Sequence, residues 1–397
     1  MTATPRRSPA GALALGSSAT IVCLLPVFLT GAMAFQLTES LGFGTVGLGA
    51  AVALNRAAGA ATAPFLGGFA DRLGATRSIR IAATAAAVAA LGIALTATTW
   101  LTYVAWLLLS GAAHALVVPA ANRMLSTVVP PGRLGAAFGV KQSAPPTTTM
   151  LAGLSVPVLA LTLGWRSAFY ATAVLAVIVA ITAREVTPRT ARPAASGAPP
   201  APLEARRALL YLAVSLGLAA AASSATTTFY VDAAVPAGTT PQTAGTLLAV
   251  ASLAAILTRL GTGVLSDHMT GGHLNMSAGF VAGGCVGLAL LGSDDPTLMA
   301  VGVVVSLVGV WGFNGVVWYA LMRRYPQSPG RVTGTIAPGI LLGGTIGPLV
   351  LGVVADGAGY PTMWWLTAAI AVVAVAGIVA SARGLPTPAD LTGEGRR

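Results

Sequence analysis

Residues 67–77 read GGFADRLGATR, and residues 263–272 read GVLSDHMTGG. The first stretch sets an Asp-Arg pair between two long apolar runs, in a chain where only 8% of residues are charged and 55% are hydrophobic. Soluble domains carry roughly a quarter charged residues, so this composition is that of a membrane protein. The charged pair therefore marks a break between two spans.

Working outward, a span needs about 20 mostly apolar residues. Twelve runs meet this, near 12–36, 45–70, 79–98, 101–127, 134–160, 164–183, 208–232, 241–266, 274–292, 296–322, 333–354 and 361–382, and a count of ten or eleven also fits the apolar pattern. Their apolar residues run on without the alternation of barrel strands, which predicts helices. The opening MTATPRRSPA places two arginines before an apolar run longer than a signal-peptide core, so it is read as an uncleaved first helix.

Cytoplasmic loops accumulate Lys and Arg. The loop and terminal arginines, Arg6, Arg7, Arg72, Arg77, Arg123, Arg133, Arg184, Arg206, Arg323, Arg331 and Arg396 among them, fall at the ends of the chain or in even-numbered connections; only Arg166 falls on the other side. Glu39, Asp232, Asp294, Asp295 and Asp356 lie near odd-numbered ones. This predicts a multi-pass protein of the cytoplasmic membrane with both termini cytoplasmic. The net charge of +11 is spread over many loops rather than gathered in a stripe, so topology explains it better than nucleic acid does. Cys23 and Cys285 fall in different halves and indicate neither a disulfide nor a metal site.

The two opening stretches belong to an internal repeat. A shift of 196 pairs Gly42 with Gly238, Gly49 with Gly245, Gly67 with Gly263 and Asp71 with Asp267; later the shift drifts to about 200 and pairs Arg123 with Arg323 and Gly139 with Gly339. Between the copies, REVTPRTARPAASGAPPAPLEARR is rich in Pro, Ala and Arg and reads as a linker. The expected organisation is an all-α membrane protein of two pseudo-symmetric six-helix bundles, 1–183 and 208–397, joined by a cytoplasmic linker at 184–207.

At this point the chain resembles the major facilitator superfamily. Gly67, Asp71, Arg72 and Gly74 match that family's loop signature after the second span. The resemblance implies a conformational latch, with Gly263 and Asp267 as its second copy. Ala75 and Thr76 stand where the family usually carries basic residues, and His268 and Thr270 replace the Arg and Gly of the second copy. The passage PAANRMLSTVVPPGRLGAAFGVKQSAPP is similar to the cyanate and nitroimidazole transporter branch, whereas the Asn-containing signatures of nitrate transporters are missing.

Once loops are set aside, the intramembrane ionisable residues are Arg56, His114, Lys141 and Arg259, with no deep carboxylate among them. A charge near the bilayer centre costs at least ~2.5–3.5 kcal/mol. Counting from the latch copies, Arg56 lies about 22 Å and Arg259 about 12 Å along their helices. Two readings of Arg56 stand: snorkelling to the interface, or facing a central cavity where its donor fork suits a planar oxyanion. Lys141, the chain's only lysine, has the same alternatives, with Gln142 beside it as a polar partner.

His114 is the candidate carrier of a coupled proton together with Lys141, and its repeat equivalent is Asn314, on a face shared with Trp311 and Trp318. Substrate-binding candidates are therefore Arg56, His114, Lys141, Arg259 and Asn314. The expectation is a monomeric secondary transporter moving a small anion by alternating access. Proton-coupled efflux of a drug or metabolite is the alternative. No phosphate-binding loop or metal-spaced cluster stands in the sequence, so neither an enzyme nor a bound cofactor is expected, and the partners are a small-molecule substrate and the bilayer.

Overall fold

The computed structural model describes residues 8–130, 134–183, 203–269, 271–325 and 329–385. The described residues are almost wholly helical: α1 (Pro9–Ala32), α2 (Ala34–Leu41), α3 (Thr45–Leu73), α4 (Ala75–Thr96), α5 (Trp100–Val128), α6 (Leu134–Gln142), α7 (Ala144–Ser155), a π-turn (Val156–Ala160), α8 (Leu161–Leu163), α9 (Arg166–Thr182), α10 (Leu203–Ala234), α11 (Pro241–His268), α12 (His273–Leu291), α13 (Pro296–Arg324) and α14 (Pro329–Gly384). Among these residues nine helices are long and apolar enough to cross a membrane, and ten if the bent pair Ala34–Leu41 and Thr45–Ala70 counts as one. Adding the shorter apolar Arg166–Thr182 and dividing α14 at Gly359 brings the rods to twelve.

The helix boundaries follow from local chemistry. Thr99 and Thr102 form a reciprocal capping box that starts α5. Asp295 Oδ1 accepts from the amides of Thr297 and Leu298, both at 2.9 Å, and starts α13 ahead of Pro296. Gly359 has φ 82° and ψ 163°, a conformation that side chains with a Cβ rarely adopt, and it breaks α14 before Pro361. Within the rods, hydroxyls fold back onto the preceding turn: Thr20 Oγ1 donates to Gly16 O at 2.7 Å and Thr148 Oγ1 to Ala144 O at 2.8 Å. This keeps polar side chains satisfied where no water reaches.

Close contacts group the chain into two units, Met1–Arg192 with Thr227–Leu253, and Pro193–Thr226 with Ala254–Arg397. In the first unit α5 packs on α1, α3 and α4, and α9 on α4. Its core is built from small side chains, with Ala12, Ala82, Ala83, Ala86 and Ala120 buried around Leu116 and Met124. In the second unit α12 packs on α13 and α14. There the backbones nearly touch: a Cβ on Gly309 would stand 2.3 Å from Gly284 N, and one on Gly287 would stand 2.2 Å from Ser306 N. Such close crossings supply the van der Waals contact that holds helices together in lipid. Most of the expected 184–207 linker lies outside the described residues.

Candidate functional site

The first unit gathers three of the sequence-predicted ionisable residues, Arg56, His114 and Lys141. The crossing of α3 and α5 places two of them. A Cβ on Gly111 would stand 2.1 Å from Asn55 O, so only glycine lets α5 approach α3 here. Asn55 Nδ2 then donates to Leu107 O at 2.8 Å and to Ser110 Oγ at 3.5 Å, and Ser110 Oγ donates to Cys23 O at 3.2 Å. This chain of bonds pins α1, α3 and α5 at one level. Arg56 follows Asn55 directly and His114 follows Gly111 by three residues, so the crossing brings them to the same depth.

Lys141 enters from the broken fifth rod. Its side chain is 4% exposed, and Nζ donates to Asn122 Oδ1 of α5 at 2.9 Å. Asn122, rather than the expected Gln142, is this partner. Residues 114, 118 and 122 follow in four-residue steps along α5 and share a ridge, and His114 lies within electrostatic reach of both Arg56 and Lys141. Three basic side chains thus share one neighbourhood.

No acid neutralises them among the described residues. Lys141 is held by a neutral amide oxygen. Arg56 is half-buried, its Nε is fully buried, and no protein group accepts from it. A buried unsatisfied donor costs about 1–3 kcal/mol, and more when it is charged. A group that supplied an acceptor there would recover part of that cost. Chemically the cluster offers hydrogen-bond donors, of which Arg56 Nε has no protein acceptor.

The second unit holds Arg259 and Asn314. Arg259 Nε donates to Trp311 O at 2.9 Å, and its Cζ stands 5.4 Å from the Trp311 ring centroid. Stacking and hydrogen bonding together fix the guanidinium on α13. Asn314 sits three residues on, with its Oδ1 buried and unpartnered. Trp311 is therefore the seat of an arginine.

Asp232, the last residue of the seventh apolar run, is 9% exposed within the last turn of α10. His273 begins α12 as a buried side chain. Its Nε2 lies 3.1 Å from Ser266 O, and its ring centroid 5.1 Å from that of Tyr319. Arg323 Nη1 donates to Met269 O at 3.1 Å, so two basic side chains hold the turn after α11.

The latch residues fall on helix rather than loop. Gly67, Asp71 and Arg72 lie in α3, which runs to Leu73, and Gly74 alone, at φ 82°, separates it from α4. Arg72 is exposed. Gly67 and Gly263 have open space where a Cβ would be. The side chains of Asp71 and Asp267 lie outside the described residues. In the first unit Arg80 Nη2 donates to Ala183 O at 2.5 Å, tying α4 to the end of α9.

Twelve rods, a repeated helix-end Asp and buried cations on them fit a transporter, and the sequence model of the Major Facilitator Superfamily matches residues 12–340. The chain belongs to that superfamily. Two solved structures share its fold. One is the crystal structure of a bacterial homolog to the human lysosomal transporter Spinster in an inward-facing and unoccupied conformation, with a TM-score of 0.72 and 14% identity over 96% of this chain and 98% of that one. The same homolog in its inward-facing and occupied conformation gives a TM-score of 0.73 and 15% identity over the same shares. No curated protein matches the sequence. As a member of the Major Facilitator Superfamily the chain is a multi-pass membrane transporter of small molecules and not an enzyme.

Proposed function

We propose that this transporter moves a small anion, of the cyanate or small-carboxylate kind, across the cytoplasmic membrane by alternating access. The observation that carries the reading is the cluster of Arg56, His114 and Lys141 in one unit, with Arg56 Nε unpartnered and Lys141 tied to a neutral oxygen. Guanidinium and ammonium donors in a low-dielectric setting favour an oxyanion and repel a cation. Arg259 supplies a further fixed cation in the second unit. The similarity of the 119–146 passage to the cyanate and nitroimidazole branch supports the same substrate class.

The reading includes a monomer with both termini cytoplasmic and bundles at 1–183 and 208–397. A coupled proton is assigned to His114 or Lys141. Purified protein screened by thermal unfolding against cyanate, nitrite and formate tests the anion reading, because a ligand of the folded state alone raises stability by mass action. At least one of these anions should raise the melting temperature and enter protein-loaded liposomes. Arg56→Gln should weaken that binding roughly 10–100-fold, the loss expected for a charge-assisted bond of about 1.5–3 kcal/mol. Stabilisation by neutral or cationic compounds alone, unchanged in Arg56→Gln and Lys141→Met, overturns the proposal in favour of drug or metabolite efflux.

A further inference from the structure

We propose that the first unit holds the acyl chain of a bilayer phospholipid in an apolar groove between α1, the π-turn of the fifth rod, and α9. The groove has a volume of about 210 Å³. Leu25 and Leu29 of α1 form its floor, Leu154 and Val158 one wall, and Ala171 and Leu175 the other. Two hydroxyls reach it, and both are already spent on backbone: Ser155 Oγ donates to Ala152 O at 2.6 Å and Thr172 Oγ1 to Ala168 O at 2.8 Å. Water needs two to four polar partners in a cavity, and this lining offers no free donor and only the lone pairs of these two hydroxyls. An apolar cavity of only about 150 Å³ stays dry and accepts benzene.

The occupant follows from where the groove opens. Leu154, Val158 and Leu175 on its rim are 41%, 63% and 45% exposed, on the outer faces of spanning rods. The groove is thus continuous with the surface that meets lipid tails. Its wall from Leu151 to Leu159 begins five residues short of the Gly164 turn, about 7 Å along the rod, so the groove lies toward that side of the bilayer. A slot that is narrow, dry and open to hydrocarbon fits one alkyl chain.

The slot has an identifiable cause in the sequence. Pro157 lacks an amide hydrogen, and the turn around it widens until Leu161 N bonds to Val156 O, five residues back. The extra residue swings Val158 outward. Opposite, α9 presents Ala168 and Ala171 rather than large side chains, so the gap is left unfilled by protein. Gly153, one turn before the π-turn, is the point where the fifth rod meets Gly245, so a bound chain braces the rod beside that contact.

The test compares lipid retention by native mass spectrometry on the full chain, extracted in mild detergent with phosphatidylglycerol and phosphatidylethanolamine. Ala171→Leu fills the groove from one wall, and Leu154→Trp closes its mouth from the other. Val286→Phe, at a position 60% exposed on α12, adds bulk to a lipid-facing surface elsewhere. The proposal expects one fewer retained phospholipid in each groove variant that elutes as a single folded species, and no change in Val286→Phe. Added phospholipid should raise the melting temperature of the parent and of Val286→Phe more than that of the groove variants. Equal lipid counts and equal lipid-induced stabilisation across all four proteins overturn it.

Discussion

The Lys141–Asn122 bond is the sharpest feature at the scale of single residues. Removing Asn122 leaves a buried ammonium without its neutral acceptor, and a hydrogen bond to a charged group contributes about 1.5–3 kcal/mol, whereas replacing both partners by apolar groups of similar size is often close to neutral. Asn122→Leu should therefore lower the melting temperature by several degrees, and Lys141→Met in the same chain should recover most of the loss. Thermal unfolding of the two single variants and the double variant forms a cycle; additive losses would show that the bond is not a coupled unit. The lysine was legible in the sequence because it is the chain's only one and stands in an apolar run, although the sequence left snorkelling and burial both open. Asn122 was not, because an asparagine beside Arg123 reads as the fringe of a loop, and only the turn of α5 brings it back under Lys141.

Among the elements, the crossing of α3 and α5 positions the cluster, and three glycines of these two helices, two at the crossing and one away from it, should respond to substitution in a graded way. A Cβ on Gly111 meets Asn55 O at 2.1 Å, one on Gly59 meets Gly111 O at 3.1 Å, and one on Gly67 meets nothing within 4 Å. Gly111→Ala forces backbone from backbone and should be strongly destabilising. Gly59→Ala should cost less. Gly67→Ala should gain up to about 1 kcal/mol from helix propensity. Melting temperatures in the order Gly111→Ala, Gly59→Ala, parent, Gly67→Ala would bear this out. If Gly67 also serves as a latch, Gly67→Ala will be stable yet slow in liposome flux, which separates packing from cycling. The helices themselves were legible from apolar runs, and the repeat from four matches in register. The crossing was hidden, because among 48 glycines no local pattern tells a contact from an open face.

For the molecule as a whole, the first unit contains a segment that the repeat assigns to the other half. Thr227–Leu253 groups with Met1–Arg192, and it does so through backbone meeting backbone. A Cβ on Gly31 would stand 2.1 Å from Thr227 O, and one on Gly153 would stand 2.6 Å from Gly245 O and 2.9 Å from Ala249 N. At Gly245 the side chain of Val156 lies beside this backbone contact, and such a close approach can part only if the two helices separate as bodies, which alternating access demands of some surface in every cycle. A bulky side chain at Gly153 should hold Ala249 away permanently while leaving each helix intact. In a background lacking Cys23 and Cys285, Ala249→Cys, at a position 3% exposed, should react slowly with a maleimide. Adding Gly153→Leu should speed that reaction by at least tenfold and abolish liposome uptake with the helical content unchanged. Slow labelling together with normal uptake in the double variant would place the moving contact elsewhere and make the Gly153–Gly245 approach a fixed part of the first unit.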